Sequence, residues 1–252
     1  CASRRFLPLF STQFLGAFND NLLKTAFLVW VSYAGLSFAG LPAVQIVNLA
    51  SGLFILPFFL FSATAGRLAE KIDKARVARW VKLSELAIML LAALGFSQHH
   101  AGVLLLALFL MGAHSTFFGP VKYAMLPQHL RPHELIGGNG LIEMGTFIAI
   151  LLGQMAGGML ALHSLPLTIA LLMLAAALGW ASSRTIPPAP PSALDLPLHL
   201  NLWRDTADLL CQARRTPALW TAMLGISWFW LLGAVYLTQL PTFTRLHLGG
   251  DP

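Results

Sequence analysis

Gly102-Val-Leu-Leu-Leu-Ala-Leu-Phe-Leu-Met-Gly-Ala-His-Ser-Thr-Phe-Phe-Gly-Pro-Val-Lys-Tyr-Ala124 decides how the rest of the chain is read. A hydrocarbon core of about 30 Å is crossed by about 20 apolar residues in a helix, and this stretch meets that length. Its ionisable members, His114 and Lys122, fall in its second half. Placing them in lipid costs about 2.5–3.5 kcal/mol for a charge at mid-depth, so they need an interior to face.

Six further stretches have the same character: Phe6–Ala34, Ala43–Ala65, Val77–Ser97, Gly137–Leu162, Leu165–Ser183 and Ala218–Thr238. The whole chain is 57% hydrophobic and 10% charged, with a mean hydropathy of +0.71. A soluble domain carries about a quarter charged residues. Too little polar surface exists to cover a water-facing globule, so the chain reads as an all-α polytopic membrane protein.

The connections give an orientation. Basic residues follow the second stretch (Arg67, Lys71, Lys74, Arg76, Arg79), the fourth (Arg131) and the sixth (Arg184). The connections Gly35–Pro42, Gln98–Ala101 and His163–Leu165 contain no Lys or Arg. By the positive-inside rule the N-terminus is cytoplasmic, and Arg4 and Arg5 argue against an outward-facing, lipidated Cys1. The net charge of +6 then belongs to one membrane face meeting anionic lipid, which removes the case for a nucleic-acid partner.

Residues 187–197, Pro-Pro-Ala-Pro-Pro-Ser-Ala-Leu-Asp-Leu-Pro, cannot be helical, since proline removes backbone donors. They read as a cytoplasmic linker. In Asn201–Arg215 the residues Leu202, Thr206, Leu209, Leu210 and Ala213 share one helical face, which suits the membrane surface or packing on other loops. The organisation is thus a six-helix unit (1–185), a linker with an amphipathic helix (186–216) and the start of a second, truncated half (217–252). Six helices, a linker and more is the layout of transporters built from inverted three-helix repeats. Phe14-Leu-Gly-Ala and Phe109-Leu-Met-Gly-Ala form a faint internal echo.

The loop Gly66-x-Leu-Ala-Glu70-x-x-x-Lys74-x-Arg76 resembles the signature loop of the major facilitator superfamily, with Glu70 where Asp is usual. The resemblance implies gating roles for Gly66, Glu70 and Arg76, the glycine turning the chain and the charges forming a cytoplasmic clasp. Gln13-Phe-Leu-Gly-Ala-Phe-Asn-Asp-Asn21, Gly119-Pro-Val-Lys-Tyr123, Asn139-Gly-Leu-Ile-Glu143 and Ala149-Ile-Leu-Leu-Gly-Gln-Met-Ala-Gly-Gly158 resemble the bacterial lysophospholipid transporter family. They are especially similar to members fused ahead of an acyltransferase and an acyl-carrier-protein synthetase. The resemblance implies inward movement of lysophospholipid, mainly lysophosphatidylethanolamine, across the inner membrane for re-acylation. One departure is the seventh stretch, which carries no buried basic residue.

The residues themselves give a parallel reading. Gln13, Gly16, Asp20 and Lys24 are spaced three and four apart and form one polar stripe, flanked by Asn19 and Asn21. Asp20 lies roughly 21 Å along the first helix. Lys82, Glu85, Lys122 and Glu143 are expected within roughly 12 Å of the cytoplasmic side. Two layers follow: a deep acid with Asn21, Lys24 and Gln13 for substrate, and a shallower mixed-charge ring in which Lys122 pairs with Glu143 as a gate or contacts phosphate. The rival for the deep layer is a private Asp20–Lys24 pair. Gly153-x-x-x-Gly157 reads as close helix packing, and His114 as a packing residue or proton relay. No nucleophile elbow, phosphate-cradling loop or metal-ligand spacing is visible, so no catalytic residue, metal or cofactor is assigned. The functional classes left open are a lysophospholipid transporter, a proton-coupled major facilitator of another solute, and a membrane anchor for fused acyltransferase domains.

Overall fold

The computed structural model describes residues 5–193 and the backbone of 202–247, with side chains over 206–233 of the latter. Among the described residues the helices are α1 (Leu7–Tyr33), α2 (Ala43–Lys71), α3 (Lys74–Ser97), α4 (Ala101–His129), α5 (Leu135–His163), α6 (Leu165–Arg184), α7 (Leu202–Arg214) and α8 (Pro217–His247), with a 3-10 turn at Pro132–Glu134. Among the described residues, the helices α2 to α6 are long and apolar enough to cross a membrane. The first helix is 27 residues long but falls outside that set, because Gln13, Asn19, Asp20, Asn21 and Lys24 dilute its apolar character.

Several helices run beyond their apolar stretches. α2 continues through Gly66 to Lys71, and the chain turns at Ile72 and Asp73 instead. Gly66 is therefore not the turning residue, and a Cβ there would meet open space. Asp73 starts α3 by accepting the Arg76 N–H at 2.8 Å, an N-cap contact that satisfies one of the orphan donors of the first turn. α4 keeps its helical path past Pro120 and Pro127 to His129. Pro120 has no N–H to give, so the Thr116 carbonyl loses its usual donor one turn below.

The chain divides into two compact units, Cys1–Leu202 and Trp203–Pro252. In the first, α1 lies against α5 and α6, α3 against α4 and α6, and α2 against α4. Glycines let the backbones close up. A Cβ on Gly153 would come within 2.4 Å of the Phe18 carbonyl oxygen, and one on Gly157 within 2.9 Å of that of Leu22. This is small-residue packing of α5 on α1. Gly112 does the same for α4, where a Cβ would sit 2.1 Å from the Phe54 oxygen of α2.

The apolar interior is split in two. One cluster holds Leu22, Phe27, Met89, Phe96, Leu104 and Leu108, and the other holds Leu9, Ala78, Val121, Met125 and Leu126. On each of α1, α3 and α4 the polar residues fall between the two clusters: Gln13 to Asp20, Lys82 to Glu85, and His114 to Thr116.

The start of the proline-rich stretch is docked on the first unit. Ile186 and Ala189 are buried. Ala189 donates its N–H to Asp73 Oδ2 at 3.2 Å and accepts from the Lys74 N–H at 2.9 Å. Lys74 Nζ reaches the Pro190 carbonyl at 3.2 Å and Ser192 Oγ at 2.9 Å. The Glu70 carbonyl accepts from Ser192 N–H at 2.9 Å and from Ala193 N–H at 3.1 Å. Extended backbone that cannot pair with itself is thus satisfied by the α2–α3 corner. Residues 194–201, where the sequence reading continued this linker, lie outside the described residues.

In the second unit, α7 carries part of the face that the sequence marks as apolar, Leu209, Leu210 and Ala213. Leu209 and Leu210 are exposed while Ala213 is buried. They line a shallow hollow with Thr216, Leu219 and Met223 of the same unit.

Candidate substrate site

The polar belt is built around α1, and its stripe is shared among four partner helices. Gln13 donates from Nε2 to Thr146 Oγ1 on α5 at 2.9 Å, and Thr146 in turn donates to the Ile142 carbonyl. Asn19 donates to Glu85 Oε1 on α3 at 2.8 Å. Asp20 Oδ2 accepts from Ser115 Oγ on α4 at 2.6 Å. The Lys24 ammonium stands 5.5 Å from the ring centre of Phe54 on α2. Spacing alone suggested one face; tertiary packing turns Gln13 to α5, Gly16 and the flanking Asn19 to α3, Asp20 to α4 and Lys24 to α2.

Asn21 is turned away from this stripe. Its side-chain amide donates to the Ala17 carbonyl at 2.8 Å, and its Cβ lies beside Gly153. Its burial serves the α1–α5 contact.

The shallow-ring expectation is corrected for Lys82 and Glu85. Lys82 Nζ and Glu85 Oε2 are 2.7 Å apart, with both side chains fully buried. Because α3 begins at Lys74, Glu85 sits roughly 16 Å from its helix start, close to the roughly 20 Å of Asp20 along α1. Asn19, next to Asp20 in sequence, bonds Glu85 directly. The acids therefore share one layer. Lys82 also lies 5.1 Å from the Phe118 ring centre and reaches over Gly16, where a Cβ would come within 2.3 Å of Nζ. Gly16 is the residue that admits the buried ammonium. An ion pair removed this fully from water needs its remaining hydrogen-bonding capacity filled, and Asn19 does part of that.

His114 completes this cluster. Its Nε2 is 3.3 Å from Glu85 Oε2, without the alignment of a hydrogen bond, and its Nδ1 is 3.5 Å from Ser115 Oγ. Asp20, Ser115, His114, Glu85 and Lys82 thus form a continuous chain of polar groups across α1, α4 and α3.

The expected Lys122–Glu143 contact is not formed. Glu143 accepts from the Tyr123 hydroxyl, and Lys122 Nζ lies 4.7 Å from the Tyr123 ring centre. One turn of α4 presents both side chains, and the phenol reaches α5 first. The private Asp20–Lys24 pair is also absent from the ion pairs within 4 Å. Asp20 nonetheless lies within electrostatic reach of both Lys24 and Lys122. Its second oxygen, Oδ1, is buried with no hydrogen-bond partner in the protein. Buried polar atoms are nearly always paired; in the belt this oxygen shares its unpaired state with Asn19 Oδ1 and His114 Nε2, and it is the one that belongs to a carboxylate.

At the α2–α3 corner, Glu70 takes part through its backbone carbonyl, and Arg76 is exposed. Sequence reading passed over Asp73 and Ser115. A serine beside His114 in an apolar helix, and an aspartate three residues before Arg76, were the available signals.

Comparison with known proteins fits this architecture. Residues 9–251 match the Major Facilitator Superfamily. The chain belongs to the major facilitator superfamily. It is similar to the lysophospholipid transporter LplT of Serratia proteamaculans, at 31% identity over 63% of this chain and 37% of that protein. It is similar to LplT of Yersinia enterocolitica at 27% identity, over 98% of this chain and 58% of that protein. The chain therefore spans about half the length of the curated relatives it matches. A crystal structure of the peptide transporter POT superposes with a TM-score of 0.59 at 15% identity, covering 98% of this chain and 47% of that one. The superfamily fold is thus present over about half of a complete transporter, in a multi-pass membrane protein.

Proposed function

We propose that the full-length protein moves lysophospholipid, chiefly lysophosphatidylethanolamine, across a bacterial inner membrane, with the N-terminus of this half cytoplasmic. The observation that carries the reading is the pairing of opposite charges without direct contact. Asp20 offers a buried oxygen free of protein donors, while Lys24 and Lys122 rest against aromatic rings. A zwitterionic headgroup meets both needs: its ammonium takes the Asp20 oxygen and its phosphate takes a lysine. In an interior from which water is displaced, both contacts strengthen. The acyl chain would lie along the phenylalanines and the exposed apolar flanks of α2 and α5. The names of the similar proteins point to the same substrate class.

In this reading Gln13 and Asn21 hold α5 on α1 beside the site. Lys82 and Glu85 keep the belt assembled, Glu143 with Tyr123 closes the α4–α5 side, and the Gly66–Arg76 corner anchors the linker to the first half. The lipid delivered inward would be re-acylated by an acyltransferase, fused or separate. The test is uptake by spheroplasts expressing the full-length protein, offered lysophosphatidylethanolamine or a small polar solute under the same gradient. Saturable lysolipid uptake that is lost in Asp20→Ala supports the proposal. Uptake of the solute alone, or lysolipid uptake equal to that of Asp20→Ala, overturns it.

A further inference from the structure

Asp20 stands between two cations, and the packing of α1, α2 and α4 fixes their order. Ser115 donates to Asp20 at 2.6 Å, so those two residues are level. One turn further along α1, Lys24 lies 5.5 Å from the ring centre of Phe54 on α2. The Phe54 carbonyl packs on Gly112 of α4, where a Cβ would come within 2.1 Å of it. Going forward along α1 therefore means going backward along α4. The apolar clusters agree: Leu22 and Phe27 share one with Leu104 and Leu108, while Leu9 shares the other with Val121 and Met125. Lys122, which lies beyond Ser115 on α4, is thus on the opposite side of Asp20 from Lys24. The rise is about 6 Å from Asp20 to Lys24 and about 10 Å from Ser115 to Lys122. Both spacings return to the same helical face, so each lysine points the way its level partner does.

Neither cation is committed to an acid. Among the described residues, neither makes an ion pair within 4 Å. Lys24 rests on Phe54, and Lys122 lies 4.7 Å from the Tyr123 ring centre. Glu143, the acid on the facing helix, already accepts from the Tyr123 hydroxyl. Both lysines are within electrostatic reach of Asp20. Lys82, the third cation of the belt, is held by Glu85 at 2.7 Å and is not available. An aromatic face holds an ammonium less firmly than a phosphate would, so Lys24 and Lys122 are parked, not paired.

We infer that the substrate phosphate uses the two lysines in turn, pivoting about an ammonium held at Asp20. It rests on Lys24 when the site faces outward and on Lys122 when the site faces the cytoplasm. The inference rests on the reading of Asp20 as the headgroup site. In an ethanolamine lipid only two carbons separate the ammonium from the phosphate ester oxygen. A headgroup held at Asp20 therefore cannot engage both lysines at once, since their backbones lie about 16 Å apart along the helix axes. The swing carries the glycerol end from one side of the acid to the other, as a lipid changing leaflets requires. With one cation on each side, the phosphate is paired at both ends of the swing. A single lysine would strand it at one end, which is costly for a charge away from water.

The test compares binding with transfer in the full-length protein, as wild type, Lys24→Gln, Lys122→Gln and the double variant. Binding of lysophosphatidylethanolamine is measured by calorimetry in detergent, where both facing states are accessible, and transfer is measured in proteoliposomes. Each single variant keeps one of two bound states, so its Kd should rise only about twofold. Its transfer should fall at least about tenfold, because the phosphate lacks a partner at one end. The double variant should lose at least about tenfold in binding as well. Full transfer in either single variant overturns the inference. So does loss of both binding and transfer in one single variant alone, which would mean one phosphate site, or a full loss of binding in each, which would mean simultaneous contact. If a glutamine variant does not accumulate, magnetic-resonance contacts between the lipid phosphorus and isotope-labelled lysine Nζ are read in the wild type. Two contacts, one lost in Lys24→Arg and the other in Lys122→Arg, support the inference, and one contact or none overturns it. An Asp20→Asn protein that binds and transfers like the wild type refutes the substrate-site reading instead, a distinguishable failure.

Discussion

Ser115 Oγ on α4 donates to Asp20 Oδ2 on α1 at 2.6 Å, so the acid at the centre of the polar belt is aimed by a neighbouring helix. The bond fixes which oxygen is occupied and leaves Oδ1 free of protein donors. A hydrogen bond to a charged group contributes about 1.5–3 kcal/mol. Ser115→Ala should therefore weaken lysolipid binding at least about tenfold while leaving the protein's melting temperature in detergent within a few degrees. Binding calorimetry together with thermal denaturation separates the two effects.

The Lys82–Glu85 pair predicts a different pattern. Both side chains are fully buried, so removing one partner strands a charge, at about 3–5 kcal/mol. Lys82→Met and Glu85→Met should each lower the yield of monodisperse protein sharply. The double variant, with apolar groups of similar volume, should recover most of it. Size-exclusion profiles of the three fusions to a fluorescent reporter give the comparison. A double variant as poor as the singles would mean that the pair does more than hold α3 in place.

Neighbouring glycines of α5 should differ in tolerance. A Cβ at Gly153 meets the Phe18 carbonyl at 2.4 Å, whereas Gly158 faces open space. Gly153→Ala should destabilise by about 1–3 kcal/mol, as overpacking does, and Gly158→Ala should be neutral. Thermal unfolding of the two proteins, side by side, decides this.

The docked proline stretch depends on Asp73, which caps α3 and receives the Ala189 N–H. Asp73→Ala removes the cap at a cost of about 1 kcal/mol and loosens 186–193. Limited proteolysis should then cut that stretch faster than in the wild type. An unchanged cleavage rate would show that Lys74 and Arg79, which bond the Pro190 and Ile186 carbonyls, suffice alone.

Much of this was legible in the sequence. The six helices of the first unit were marked by length and hydropathy, because lipid leaves the backbone no alternative to helix. The belt was visible as misplaced polar residues. Its connections were not, since periodicity gives a face but not the neighbour that face meets. Gln13, Asn19, Asp20 and Lys24 are within three turns of one helix yet reach α5, α3, α4 and α2. Depth estimates misplaced Glu85 because they started α3 at the apolar residue Val77, whereas the Asp73 cap starts it at Lys74. The docked linker was invisible for a related reason: prolines announce the absence of helix, but where extended backbone finds its donors is settled by tertiary structure.

The most direct measurement is transfer of radiolabelled lysophosphatidylethanolamine across proteoliposomes holding the full-length protein, as wild type and as Asp20→Asn. The substitution keeps the shape and an oxygen to accept from Ser115, and it replaces the charge and the free acceptor that would meet the ammonium with an amide donor. Transfer by the wild type, lowered at least about tenfold in the variant, consistent with loss of a charge-assisted contact, is the predicted result. Equal transfer by both proteins would contradict the account.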